Sequence, residues 1–488
     1  LLEHTAGRSG AEPIVEAILP TQKRTQIITT LPSETPVPSS TPTSSKTVES
    51  LTSSPETTFI QLSVDELTAS LEGLPVEEFF ENAFRYLRLR DPDILFINGF
   101  GEAFGVVLDD HFTDLSEEYI RDTQQLENVI LVMLRGYDRE ALTEDQKISY
   151  DALEWILDIH VRGHAFADYK FLVNPVWGLQ DWPIEFLLEY PLENTQDVEN
   201  YISRISSLRA WGDQVIKGLE RNEQVGAILP RYIIEETINQ LDNILKSQGT
   251  NEVKPEILDI YTNLKSKIDR IVGLEEQDKE VYLASALSAV KESFIPAYLD
   301  LRDYLVYLTR IAVEDPNEWE LPGGEDYYSY LLAYYTGTDL SADEVHALAL
   351  TEVDTIRQEI DDAAVAAGYP PGLSMVEINQ KLSEDMPMII GNDLRELYEE
   401  ILADADQAAE EYFDLRTSAK VVIKSENINL PGFYAHPEPG SDEPGIMPVN
   451  LWVSPLLFNY NEHVFVHHET IPGHHTQVSL AQELDLPN

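Results

Sequence analysis

From about residue 59 onward, apolar residues recur at spacings of three and four, which is the pattern of helices that bury one face. Long stretches with this pattern occupy residues 116–136, 143–162, 196–220, 230–247, 254–272, 277–311, 341–367 and 392–414. Helix-start signals accompany the pattern, for example Ser63 with Glu66 three residues later, the spacing of a capping box. The sequence therefore predicts a mainly α-helical fold with a large body of many helices.

Strand signals are sparse and come late in the chain. Residues 420–424 form a short β-branched run, and residues 448–453 form an apolar run that begins at a proline. We expect these segments to form a small β-sheet next to the helix that carries the histidines described below. The second segment could also pair with an extended peptide by strand addition, although an ordinary core strand is the commoner role.

The N-terminal region differs in composition from the rest of the chain. Ser, Thr and Pro supply 22 of the 30 residues from 29 to 58, and such a segment cannot bury enough apolar surface to offset the entropy of ordering it. We predict a disordered tail or stalk over residues 1–58 and a helical domain over residues 59–488.

The same N-terminal composition bears on location. Ser/Thr/Pro-rich stalks commonly tether extracellular domains, so we expect an extracytoplasmic protein, secreted or tethered to the cell surface; a plain flexible tail is the alternative. The chain begins at Leu1 without an initiator methionine or a recognisable signal peptide. We therefore expect the natural N-terminus to lie upstream.

Charge and the absence of cysteine exclude several classes of function. The formal net charge is 33 − 87 = −54, and a surface this negative repels nucleic acid and anionic membranes. No apolar run approaches the roughly 18 residues needed to cross a bilayer. Because the chain has no cysteine, a metal site must be built from His, Asp or Glu. No pattern in the sequence specifies an oligomeric state.

Five of the 11 histidines lie within 13 residues, namely His463, His467, His468, His474 and His475. Imidazole is the usual neutral ligand of zinc. The common zinc-peptidase motif is HExxH on a helix, in which two histidines share one face and the Glu acts on metal-bound water. A cluster this dense, with a Glu beside one histidine, favours a Zn²⁺ site over a surface helix that happens to be rich in histidine.

The segment HETIPGHH, which begins at His468, differs from HExxH by two inserted residues. On a straight helix His468 and His474 would be six positions apart and would point in different directions. Pro472 cannot donate to a carbonyl, and Gly473 can adopt backbone conformations closed to other residues, so a kink here could restore the facing pair. We therefore predict that His468 and His474 bind the metal and that Glu469 is the general base.

Two alternatives to this ligand pair exist within the cluster. His475 is the rival second ligand: it lies seven residues from His468, on the same face of a regular helix but about 10 Å along its axis. His475 is therefore the alternative second ligand if His474 does not bind the metal. His463 and His467 are also four residues apart, but Val464 occupies the position where the catalytic Glu is needed. They could support the ligands or simply pack.

The motif resembles that of a known family, the bacterial proteins called DUF885, which are regarded as zinc metallopeptidases of the gluzincin type. Their signature, HExxPGHH followed by Gln, matches residues 468–477 in full. Weaker similarities are found at Leu321-Pro322-Gly323-Gly324, at residues 341–349 and at Phe433-Tyr434. Together they cover roughly residues 60–488, and they imply a helical metallopeptidase body with a small sheet beside the motif helix.

The sequence departs from the family pattern in one respect. The resemblance implies a third zinc ligand, a Glu in a downstream segment similar to EGWALY, and no such segment precedes Asn488. Glu483 is nine residues after His474, about 13 Å along a helix, which is too far to close the same site. We therefore expect the domain to be incomplete at its C-terminus, and the chain alone to bind zinc weakly and to be inactive or nearly so.

The predicted function is zinc-dependent hydrolysis of peptide bonds in oligopeptides, with Glu469 as the general base. Tyr434 and Tyr460 lie close to the motif and could donate to the oxyanion, although packing is the commoner role of tyrosine. Two alternatives stay open: a non-catalytic helical surface protein that binds metal, and a zinc hydrolase of a non-peptide amide or ester. Exopeptidase and endopeptidase activities both fit the motif.

Overall fold

The structure is a computed structural model. It describes residues 63–97, 104, 110–176, 178–246, 253–314, 321–385, 389–426, 431–437, 443–452 and 461–484. The described residues form two compact units, one within residues 55–342 and one within residues 343–486, and both lie in the predicted helical region. The predicted tail over residues 1–58 lies outside the described residues.

The first unit is built from helices alone among its described residues. Their bounds are α1 (Val64–Leu71), α2 (Val76–Arg88), α3 (Pro92–Ile97), α4 (Glu117–Leu134), α5 (Glu144–Gly163), α6 (Trp182–Glu189), α7 (Thr195–Val225), α8 (Arg231–Leu245), α9 (Asp259–Ile268), α10 (Glu276–Ala289), α11 (Ile295–Leu308) and α12 (Gly324–Thr336). Short 3₁₀ turns occupy Arg139–Ala141, His164–Tyr169 and Pro255–Ile257, and a π-helical turn at Val290–Phe294 joins α10 to α11.

Local sequence signals account for several of these helix ends. Ser63 caps α1 and forms the predicted capping box with Glu66, since each residue's side chain bonds the other's backbone N–H. The longest helix, α7, begins at a similar box between Asn194 and Asp197 and ends at Gly226, whose φ of +81° is a left-handed conformation that favours glycine.

Two hydrophobic cores hold the first unit together. The larger one surrounds α7 and includes Tyr201, Leu208 and Tyr298, which are each 2% exposed or less. The smaller one joins α1 and α2 to α4 and α5. The helical periodicity of the sequence therefore matches helices that bury one face in a shared core.

The second unit contains the remaining helices and a small sheet. Its elements are α13 (Ala342–Ala366), α14 (Met375–Asp385), α15 (Asn392–Tyr412), β1 (Val421–Ser425), β2 (Gly445–Val449), α16 (Asn461–Glu469) and α17 (His474–Glu483). One of its cores joins α15, β2 and α16 through residues that include Tyr398, Val449 and Val466. This core supports the helix on which the histidine motif begins.

The two strands pair in parallel, with Val421 opposite Gly445 and Ser425 opposite Val449. The first strand matches its prediction within one residue, whereas the second begins three residues earlier than predicted and ends at Val449. Pro448 is tolerated inside the strand because its backbone faces away from β1. On that side only its carbonyl takes part in a hydrogen bond, which it accepts from the N–H of Phe433.

The pairing of β2 bears on the strand-addition idea. On one side β2 bonds to β1, and on the other it forms isolated bridges with Gly432 and Ala435. Both edges of β2 are therefore occupied within the described part of the chain, and an added peptide strand has no free edge on β2. As far as Val449, these contacts agree with the ordinary core strand and not with the strand-addition alternative; residue 453 lies outside the described residues.

The predicted fold class is confirmed: helices dominate, and a two-stranded sheet immediately precedes the motif helices in the chain. The eight long helical stretches predicted from periodicity all contain observed helices, with the 277–311 stretch divided by the π-helical turn. No helix in the described ranges is long and apolar enough to cross a bilayer.

Candidate metal centre

The histidine motif lies where one helix ends and the next begins. Helix α16 ends at Glu469, and α17 begins at His474 after a four-residue turn, residues 470–473. The Ile471–Pro472 peptide bond in this turn is cis. Pro472 has no N–H, so it cannot form the helical hydrogen bond to the carbonyl of His468. The amide of Gly473, the next residue, donates to the carbonyl of His467 at 3.0 Å.

Gly473 is required in the turn because the chain passes very close to α16. A Cβ atom at this position would lie 1.9 Å from the carbonyl oxygen of His468 and 2.5 Å from that of His467. Its φ of −80° and ψ of −135° lie outside the helical and the extended regions, which agrees with the unusual backbone conformation expected from the sequence. The close approach of two backbones is a second reason for glycine, which the sequence did not indicate.

The turn brings three predicted site residues together. His468, Glu469 and His474 each offer a ligand atom that lies within 4.8 Å of the other two. The two imidazole rings have centroids 4.7 Å apart and are nearly perpendicular, at 88°. Both histidines are exposed and Glu469 is partly buried, so the cluster faces solvent with its carboxylate set deeper than its rings.

His475 has a different environment from its neighbour. It is buried, with 1% of its surface exposed. Its Nε2 lies 3.2 Å from the carbonyl oxygen of Ala419, and its Nδ1 lies 3.1 Å from the Tyr434 hydroxyl. Burial lowers the pKa of His475, which favours the neutral ring. The structure thus brings His474, and not the reserve ligand His475, to His468.

Helix α16 is fixed by contacts with α15. Glu462, which is 1% exposed, accepts a short hydrogen bond from the hydroxyl of Tyr398, and Val466 is fully buried in the same core. At the end of the helix, the Thr470 hydroxyl donates to the carbonyl of Val466 at 2.6 Å. These contacts orient the last turn of α16, which carries His468 and Glu469.

The second pair of histidines lies on α16 but outside the cluster. The rings of His463 and His467 are stacked with centroids 6.3 Å apart, and Nδ1 of His467 donates to the carbonyl of His463 at 2.5 Å. Burial and the neighbouring His467 lower the pKa of His463, so the neutral form is favoured there as well. This is a packing arrangement on the same helix.

Glu483, at the far end of α17, is bound to the chain just before β1. It accepts hydrogen bonds from the Thr417 hydroxyl at 2.5 Å and from the amides of Ser418 and Ala419 at 2.9 and 2.8 Å. Desolvation raises its pKa, but these bonds outweigh that effect and lower the pKa to about 2. No local sequence pattern indicates this contact, because the residues that bond to Glu483 lie 64 to 66 positions before it in the chain.

Tyr434 does not face the cluster with its hydroxyl, because that hydroxyl bonds to His475. Burial raises the pKa of Tyr434, so it remains a neutral donor. Tyr460 lies outside the described residues. Tyr434 therefore supports the second motif helix, a role that sequence position alone did not indicate.

The residue types of the cluster are compatible with zinc, since imidazole nitrogens are among its usual ligands. The two imidazoles offer borderline nitrogen donors of the kind that zinc takes with tetrahedral geometry, and the carboxylate of Glu469 lies beside them. Bonds of about 2.0–2.2 Å place tetrahedral ligand atoms roughly 3.5 Å apart, so atoms already within 4.8 Å need only small side-chain adjustments. Calcium and magnesium prefer all-oxygen sites, which this cluster does not offer.

Two solved structures resemble the chain. One is a candidate lipoprotein from Colwellia psychrerythraea, with a TM-score of 0.72 and 18% sequence identity, over 87% of this chain and 74% of that one. The other is a candidate lipoprotein of unknown function from Shewanella oneidensis, with a TM-score of 0.54 and 13% identity, over 86% of this chain and 72% of that one. At these identities the likeness shows the fold.

Sequence comparison identifies the family. No curated protein sequence matches the chain. The model of one family matches residues 99–488, which include every element from α4 to α17 and the whole histidine motif. The chain therefore belongs to the family described as bacterial protein of unknown function, DUF885.

Proposed function

We propose that this chain carries the zinc-binding centre of a hydrolase that cleaves peptide bonds in oligopeptides. The observation that carries the proposal is the cluster of His468, Glu469 and His474, whose ligand atoms lie within 4.8 Å of one another across a helix break. Only a bend at residues 470–473 makes the two histidines neighbours, and the buried contacts of both helices hold that bend in place.

The residues of the cluster have distinct roles in this proposal. His468 and His474 hold the ion through ring nitrogens, and both rings are exposed enough for an ion to reach them. A bound zinc ion supplies Lewis acidity, which brings the pKa of water to about 7. Glu469 would accept the proton of a water held in this site, since its carboxylate is adjacent to the ligand pair and is partly shielded from bulk solvent.

The substrate class follows from the motif and from the charge of the chain. Oligopeptides fit a zinc site with a carboxylate base, and the net charge of −54 favours peptides with cationic groups over anionic ones. We place the protein outside the cytoplasm. This location is supported by the Ser/Thr/Pro-rich segment at residues 29–58 and by the two candidate lipoproteins that share the fold.

The proposal is tested first by metal binding to the 488-residue chain. We expect one equivalent of Zn²⁺ per chain, lost on His468→Ala or His474→Ala and retained in Glu469→Gln. Uptake that survives both histidine substitutions would place the metal elsewhere and overturn the proposal.

Turnover is then tested on the native protein with a library of oligopeptides beside a panel of esters and non-peptide amides. We expect peptide hydrolysis that a chelator abolishes and that Glu469→Gln reduces by at least about 100-fold, the usual scale of general-base catalysis. Tight metal uptake without turnover would favour a non-catalytic metal-binding protein. Turnover of esters alone would favour a non-peptide hydrolase.

A further inference from the structure

The two halves of the metal cluster stand on separately anchored helices. His468 belongs to α16, which is fixed to α15 through Val466 and the Tyr398–Glu462 hydrogen bond. His474 is the first residue of α17. Because the direct covalent link between the helices is the turn at residues 470–473, the separation of the two rings depends on how α17 is held as well as on the turn.

Helix α17 is held at both ends by the same short segment before β1. Near its start, His475 bonds to the carbonyl of Ala419, and at its end Glu483 bonds to the Thr417 hydroxyl and to the amides of Ser418 and Ala419. His475 follows His474 directly, so its anchor is the one closest to the ligand. A shift of the first turn of α17 would move both residues together.

Both ring nitrogens of His475 are already used in this anchor. A carbonyl oxygen can only accept, so Nε2 carries the proton and donates to Ala419. Nδ1 is then the acceptor. It accepts a hydrogen bond from the hydroxyl of Tyr434 at 3.1 Å and a second one from the hydroxyl of Ser479 at 3.3 Å. Buried and satisfied on both sides, this ring has no lone pair left for a metal.

The partners of His475 lie next to each of the two strands of the sheet. Ala419 precedes β1 by two residues, and Tyr434 precedes Ala435, which bridges to Ile446 of β2. The single imidazole therefore fastens the first turn of α17 to the chain beside each strand. The sheet, rather than the turn alone, sets the position at which α17 begins.

We propose that His475 is a positioning residue of the metal centre and not a ligand: it holds the start of α17, and with it the imidazole of His474, at the distance from His468 that metal binding requires. The inference rests on the proposed function. Residues that orient metal ligands typically contribute about 10- to 100-fold to metal affinity, which sets the expected effect of removing this anchor.

The test uses Co²⁺ as a spectroscopic stand-in for zinc, titrated into the chain and its variants, with Zn²⁺ competition to obtain affinities. We expect His475→Gln to weaken binding by about 10- to 100-fold while stoichiometry and the visible absorption maxima of Co²⁺ stay the same, because the ligand set is unchanged. His474→Ala should abolish binding. Ala481→Ser, at an exposed position on the same helix, is the matched control and should bind as the wild type does.

Tyr434→Phe keeps the test decisive if His475→Gln does not fold, since it removes one hydroxyl and leaves the ring packed. It should weaken cobalt binding several-fold with little change in melting temperature, whereas a purely structural role would lower the melting temperature and leave affinity intact.

Each other outcome has a clear meaning. His475→Gln with altered cobalt absorption maxima, together with His474→Ala that still binds, would make His475 the ligand and overturn the inference. Unchanged affinity in both His475→Gln and Tyr434→Phe would also overturn it while leaving the proposed function standing. A wild-type chain that binds no cobalt would contradict the proposed function itself, and the inference would fall with it.

Discussion

The imidazole rings of His468 and His474 lie 4.7 Å apart and nearly perpendicular, although six positions separate the two residues in the chain. On a continuous helix those positions would differ by roughly 9 Å along the axis and 240° around it. The break after Glu469 removes both differences. The Pro-Gly insertion is thus compatible with a facing histidine pair, because the motif runs across two helices instead of one.

The first prediction concerns the glycine of the turn. Gly473→Ala places a methyl group 1.9 Å from the carbonyl oxygen of His468, and that backbone atom cannot yield without moving α16 or α17. We expect a loss of roughly 1–3 kcal/mol in the free energy of unfolding of this unit, the usual cost of overpacking, and at least a 100-fold loss of Zn²⁺ affinity. Thermal melting with isothermal titration calorimetry measures both.

The matched control for this variant is Ala481→Ser, which also adds a single heavy atom but does so at an exposed site of α17. It should leave both quantities nearly unchanged. A Gly473→Ala chain that binds Zn²⁺ with wild-type affinity would show that the close approach of the two helices is unnecessary for the site.

The histidine pair shows which features of the candidate metal site can be predicted from the sequence. The residue types and the Pro-Gly insertion predicted that His468 and His474 face each other, and the chemistry of proline predicted the break. The choice between His474 and His475 depends on contacts with Ala419 and Tyr434, which lie 56 and 41 residues away. Helix periodicity carries no information about such distant partners, because it reports only which face of a helix is apolar.

The strands show the same limit. The β-branched run at 420–424 predicted β1 to within one residue because its composition is local. The predicted bounds of the second strand differ from the observed ones because they depend on pairing. Gly445 and Ile446 belong to the strand through hydrogen bonds to Lys420 and Ala435. Glycine is depleted in strands, and Ile446 is a single β-branched residue between Gly445 and Met447, so no local run of strand-forming residues marks this start.

The second prediction links metal binding to stability. A metal that binds only the folded chain raises the free energy of unfolding by about 2.7 kcal/mol when its free concentration is 100 times Kd. We expect Zn²⁺ to raise the melting temperature of the transition that involves residues 343–486, and a chelator to reverse the rise. The effect should vanish in His468→Ala and His474→Ala.

Glu469→Gln serves as the control for this linkage, because the proposal makes Glu469 a base and not a required ligand. The variant should keep most of the zinc-dependent rise. Equal rises in the wild type and in His474→Ala would mean that the stabilising metal sits elsewhere, for example on the exposed acidic surface.

The third prediction concerns the buried ion pair of the first unit. The Asp93 carboxylate lies 3.0 Å from a guanidinium nitrogen of Arg204, whose side chain is fully buried, and it also accepts from Trp182 at 3.1 Å. Asp93→Asn removes the carboxylate charge beside the fully buried side chain of Arg204, so we expect a loss of about 3–5 kcal/mol in the free energy of unfolding. Urea unfolding followed by tryptophan fluorescence measures it.

The exposed pair of Arg139 and Asp151, 2.5 Å apart, provides the comparison within the same unit. Solvent screens such pairs, so Asp151→Asn should leave the free energy of unfolding nearly unchanged. If both substitutions cost the same, burial would not be what makes the Asp93 contact strong.

The fourth prediction is a dependence of stability on pH that arises from Glu127 of α4. Its carboxylate lies 2.9 Å from Nδ1 of His160 and 2.6 Å from Nε2 of His164, and its side chain is only 14% exposed. Burial raises the pKa of Glu127, but the hydrogen bonds and charge of the two histidines outweigh this effect and lower it from 4.5 to about 2.

The sign follows from that direction. A carboxyl whose pKa is lower in the folded state stabilises the fold above its unfolded pKa, and this contribution is lost as pH falls toward the folded pKa. The wild type should therefore lose about 2 kcal/mol of stability through this group between pH 6 and pH 3, which Glu127→Gln cannot lose. Glu118→Gln, at an exposed position of the same helix, should follow the wild type. Urea unfolding of the three proteins across this range isolates the contribution, and parallel curves for the wild type and Glu127→Gln would refute it.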